Sequence, residues 1–166
     1  MVASGKTETR ATGDDADVAA DQGLMVLRDK VGRYLSEAFA GVELAADGFT
    51  FRQGSARVFI GCMAWGERWT GVSIQVPLLF RVPFSDELCR FIAFNPPDFR
   101  FGNLWLRESP ERDGTLEILY THELLGDYLD REELLLAVGT VTAAADYLNN
   151  ELQRRFGGER FHEDVE

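Results

Sequence analysis

The chain has 166 residues, of which 17 are Lys or Arg and 28 are Asp or Glu, so its formal net charge is −11. With 45% apolar and 11% aromatic residues it is not a globally disordered chain, and a length of this order forms one domain whose core needs no disulfide or metal. The acidic balance argues against a groove that tracks a phosphate backbone, so nucleic acid is not expected as a partner.

Residues 1–21 are small, polar and acidic and predict a disordered acidic tail. No apolar leader precedes the body and no run of about 18 apolar residues occurs, so neither a secretory signal nor a membrane span is expected and the chain reads as cytoplasmic. Leu24, Leu27, Val31, Tyr34 and Ala38 recur at alternating steps of three and four, predicting an amphipathic helix over 22–40 that ends at Gly41. From Gly48 the period changes to two. Phe49 and Phe51, then Val58, Ile60 and Cys62, then Val72, Ile74 and Val76 form three alternating runs separated by turns at Gln53-Gly54-Ser55 and Gly66-Glu67, an antiparallel meander. Pro77 and Pro83 predict that the third strand ends or lies at an edge there.

Ser85 suits an N-cap for a short helix over 86–94 that stops at Asn95-Pro96-Pro97. Leu104 and Leu106, then Leu116, Ile118 and Tyr120 beyond the Asp113-Gly114 turn, give two more strands. Asp130 with Glu133 opens the last helix, in which Leu134, Val138, Val141, Ala145, Leu148 and Leu152 step by four and three until Gly157-Gly158. The predicted order is α-β-β-β-α-β-β-α, an α+β fold with a five-stranded antiparallel sheet packed against helices. The folded body covers 22–156, and 157–166 is an acidic C-terminal tail that stays in solvent unless Phe161 docks back.

Little points to catalysis, and the chain is expected not to be an enzyme. Cys62 and Cys89 fall on apolar positions of a strand and a helix, with no nucleophile elbow and no zinc spacing, and His122 with Glu123 and Asp127 lacks further ligands. No phosphate-cradling or dinucleotide glycine pattern occurs, so no cofactor is expected. Binding is better supported. Phe59 and Met63 oppose Val58, Ile60 and Cys62, and Trp105 opposes Leu104 and Leu106, so both faces of the sheet carry apolar groups. A sheet covered on one side should be polar on the other. The second face therefore needs a cover: the chain's own loops, a second copy, or a peptide. Trp65, Trp69, Phe80, Phe99, Phe101 and Trp105 are the candidate contact aromatics. Arg57, Arg68, Arg81 and Arg107 are candidates to grip a client's carboxylates or backbone.

Over 22–156, the element order and the stretches SARVFIGCMAWGERWTGVSIQVPLL, FGNLWL and LEILYTHELLGDYLDREELLLAVGTVTAAAD resemble the YbjN family and the CesT-like type III secretion chaperones. The chain departs from them in its acidic tails and in a basic set of 15 Arg against 2 Lys. The resemblance implies a secretion-chaperone-like fold and a non-catalytic, chaperone-like module, of a kind often homodimeric in that group, that holds a partner polypeptide. The alternative is a regulatory or scaffolding protein that self-associates or docks to one fixed partner.

Overall fold

The computed structural model describes residues 13–66, 68–94, 101–111 and 113–161. Three helices and seven strands are found among them: α1 (Gly13–Ala38), β1 (Glu43–Ala45), β2 (Gly48–Gln53), β3 (Ala56–Trp65), β4 (Trp69–Pro83), α2 (Asp86–Phe94), β5 (Asn103–Glu108), β6 (Thr115–Leu125), α3 (Arg131–Phe156) and β7 (Glu159–Arg160). The α+β class and the antiparallel pairing are as expected, but the sheet is not five-stranded. Its order is β1-β2-β3-β4-β6-β5, with β7 paired to β4 off that path.

The two additional strands lack any periodic signal. β1 is three residues zipped onto β2 through Leu44 opposite Phe49. β7 is made by tertiary pairing alone: Arg160 lies opposite Leu79 and Glu159 opposite Phe80, on the part of β4 that β3 leaves after Gln75. A third difference is that β4 does not end at Pro77. It runs through to Pro83 because the register with β6 shifts between Pro77 and Leu79 and again between Leu79 and Val82. Such bulges absorb the amide that proline cannot donate, and within this stretch Arg81 adopts a φ of 52°. The first helix starts at Gly13, earlier than expected; residues 1–12 of the predicted tail lie outside the described residues.

Cross-strand partners share a face of a sheet. One face is built from rows such as Phe49–Ile60–Ile74–His122, Cys62–Val72–Leu124 and Val76–Tyr120–Leu104. All three helices pack on it. Leu27, Val31 and Leu35 of α1, Leu88 of α2 and the α3 row Leu134, Val138, Val141, Ala145, Leu148 and Leu152 join these strand residues in one core. Asp130 caps α3 by accepting a hydrogen bond from the Glu133 amide at 2.8 Å, and Ser85 accepts one from Leu88 at 3.2 Å to start α2. Gly32 of α1 gives the Phe49 ring its seat, since a Cβ there would stand 2.8 Å from the ring. Among the described residues no helix lies over the other face of the sheet.

Candidate functional site

The uncovered face is composed of the rows Trp65–Trp69, Met63–Gly71–Leu125, Gly61–Ser73–Glu123, Phe59–Gln75–Thr121 and Pro77–Leu119–Trp105. Apart from Phe59 its middle is small or polar, and its two ends are apolar. At the end of the β3–β4 hairpin Trp65 is 61% and Trp69 39% exposed, and Met63 and Leu125 beside them are also exposed. A cavity of about 400 Å³ lies among Met63, Trp65, Gly71 and Leu125. Arg68 stacks on Trp69 with its guanidinium carbon 4.8 Å from the ring centroid, and Tyr128 approaches the same ring from 6.3 Å. At the opposite corner Trp105, 60% exposed, stands on the edge strand β5.

Between these corners the C-terminal segment reaches onto the sheet. The Phe161 amide donates to the Leu78 carbonyl at 3.3 Å, and its ring meets Phe59 edge-on at 6.2 Å. Phe161 thus docks back on the body. It walls a cavity of about 400 Å³ that is floored by Gly61, Gln75 and Leu119 and bordered by the β1–β2 turn. Arg160 anchors the segment from the other side, donating to Gln153 at 2.9 Å and also to Asn150 of α3.

The six aromatics singled out in the sequence are therefore dispersed. Trp65 and Trp69 come together, and Trp105 shares their face at the far end. Phe80 borders a cavity of about 330 Å³ with Pro77, Arg107 and Phe161. Phe101 instead meets His122 at 5.7 Å, and its carbonyl accepts from the Tyr120 hydroxyl, so it belongs with the helix-covered side. Phe99 lies outside the described residues. Sequence reasoning left Leu125 out of the exposed set; its adjacency to Leu124 at the end of a strand was the available signal, since the two must point to opposite faces.

The arginines are mostly engaged within the chain. Arg57 donates to Thr50 at 2.8 Å and pairs with Glu43 at 3.1 Å. Arg107 donates to Glu117 at 2.9 Å, and Arg81 lies 3.4 Å from Glu111 and 3.5 Å from Glu159. Burial pushes the Cys62 thiol up to about 11, against a smaller opposing effect of Arg28, so it stays protonated. Its row runs through Val72 and Leu124, whereas His122 lies in the row of Ile74. Among the described residues no group of three His, Cys, Asp or Glu side chains is placed to hold a metal, and no helix is long and apolar enough to cross a membrane.

A family model described as "T3SS (YopN, CesT) and YbjN peptide-binding chaperone 1", TY-Chap1, matches residues 25–164. The chain belongs to this family. The match takes in both the uncovered face and the docked C-terminal segment. The fold is also that of a solved structure described as the ExsC-ExsE complex, with a TM-score of 0.52 at 14% sequence identity, covering 79% of this chain and 93% of that one. No curated protein matches the sequence.

Proposed function

We propose that the chain holds an extended segment of a partner polypeptide across the uncovered face of the sheet without altering it chemically. The observation that carries this reading is the separation of exposed tryptophans at two corners of a face that no helix among the described residues covers. From the Trp69 row to the Pro77–Trp105 row is eight steps along β4, about 26 Å at 3.3 Å per residue, and crossing three strand spacings brings the diagonal to about 30 Å. An extended segment of about nine residues spans that distance. Aromatic corners favour apolar client residues near both ends, where indole faces contribute large contact area with few rotors to freeze. The intervening floor offers Gln75, Thr121 and Glu123 to the client's polar atoms, while Ser73 is buried beneath and accepts from the Gln75 amide. The acidic character of the chain disfavours acidic clients.

An array of immobilised nine- to twelve-residue peptides of varied charge, with bulky apolar residues at one end, both ends or neither, tests the proposal. Peptides apolar at both ends should be retained and should shift the tryptophan emission to shorter wavelength. Trp65→Ser and Trp105→Ser should each weaken binding by about tenfold or more with native melting temperatures. Retention of no peptide, or equal retention by parent and variants, refutes it.

A further inference from the structure

Phe161 lies on the route from the Trp65–Trp69 corner to Trp105, in the half nearer Trp105. It lines the cavity of about 400 Å³ over Gly61 and Gln75 and also the cavity of about 330 Å³ beside Phe80, and Pro77 and Arg107 line both with it. The ring is thus a partition between two spaces on one face. Folded cores leave few voids larger than a water molecule, so a half-buried ring with open space on both sides is held far less tightly than a core side chain. Its seat is nonetheless apolar. Phe59 meets it edge-on at 6.2 Å, and Pro77 and Leu119 share its cavity. Leu119 is 6% exposed, although it stands outside the core and no helix among the described residues lies over its face.

The backbone leading to the ring is better fixed. Glu159 and Arg160 pair with Phe80 and Leu79, and the Arg160 guanidinium donates to Gln153 and Asn150 of α3. The Phe161 amide adds a hydrogen bond to the Leu78 carbonyl at 3.3 Å, long beside the usual ~2.9 Å. The chain can pivot there and lift the ring while β7 stays on β4. We propose, on the strength of the peptide reading above, that Phe161 is a gate acting in cis. In the free chain its ring fills the seat that a bulky apolar side chain from the interior of a client takes, and binding swings it out, which joins the two cavities into one groove along β4. The closed gate lowers the apparent affinity for a client by the fraction of molecules whose seat is open. An interior leucine or aromatic replaces the contacts that the ring gives up, whereas a polar residue leaves Phe59, Pro77 and Leu119 uncovered. The gate therefore admits the first class of client and resists the second.

Two measurements on the full chain test this, one with peptide and one without. Fluorescence anisotropy follows labelled peptides of about ten residues, apolar at both ends, with either leucine or serine at the interior positions. Phe161→Ser should bind the leucine peptide about tenfold more tightly than the parent does. Phe161→Trp, whose larger ring fills more of the flanking space, should bind it more weakly than the parent, and the parent should prefer the leucine peptide to the serine one. Without peptide, the neutral apolar dye Nile red should be taken up more by Phe161→Ser than by the parent, because the joined groove is then open. Equal dye uptake by parent and Phe161→Ser, a leucine peptide that Phe161→Ser binds no more tightly than the parent, or a parent indifferent to the interior residue overturns the gate and leaves the peptide reading standing. Failure of the parent and both variants to bind any peptide overturns the two together.

Discussion

Two leucines on opposite sides of α3 make a matched test of the packing. Leu148 is 1% exposed and lies in the core between the sheet and the helix layer, whereas Leu136 is 64% exposed. Removing three carbons from Leu148 loses their transfer free energy and leaves a void that rigid neighbours, Val141, Ala145 and Leu152 among them, fill only partly. Leu148→Ala should cost about 3 kcal/mol, which for a body of this size lowers the melting temperature by about 10 °C. Leu136→Ala removes the same atoms from a position already in contact with water and retains high helix propensity, so its cost should stay within about 0.5 kcal/mol. Urea unfolding of both variants followed by circular dichroism measures the two values under one protocol. Equal midpoints would refute the assignment of α3's inward row and the register of the core with it.

Two further outcomes are expected. Gly158 has a φ of 85°, and a Cβ there would stand 2.7 Å from the Val82 side chain and 2.9 Å from the Phe80 carbonyl. Gly158→Val should therefore expel β7 at a cost of about 1–3 kcal/mol, seen as faster hydrogen exchange at the Phe161 amide; unchanged exchange there would contradict the docking of the segment. Burial holds His122 below its ordinary value of 6.5, against the weaker opposing pull of Glu123 and Glu133. The unfolded chain accordingly takes up that proton first, and the stability that the neutral ring confers is complete above about pH 6.5 and lost as pH falls beneath it. The melting temperature should decline as pH is lowered from about 7 to 5, and His122→Asn should remove that part of the decline; identical profiles for parent and variant would refute it.

What was legible in the sequence follows from which forces are local. The α3 row was readable because every inward residue repeats the period of a helix packed on one side, and all six predicted positions are buried. The meander was readable for the same reason at period two. β1 and β7 were not, because strands of three and two residues have no period, and their existence depends on partners distant in sequence. The prolines of β4 misled because proline's missing donor is costly in a regular ladder and harmless at a bulge, and a bulge has no reliable mark in the chain. The same limit applies to the aromatics. Alternation correctly set Trp105 against Leu104 and Leu106, but nothing in the neighbourhood of Phe101 revealed that the Tyr120 hydroxyl and His122 would claim it.

The placement of β7 has a consequence for the fate of the molecule in concentrated solution. An open strand border is a template on which sister chains add by backbone hydrogen bonding. The segment at the C-terminus shields the stretch of β4 that β3 abandons, much as a selvedge keeps cloth from fraying. A chain cut after Phe156 would expose a ragged border flanked by Leu78 and Leu79, and its first failure would be polymerisation rather than unfolding.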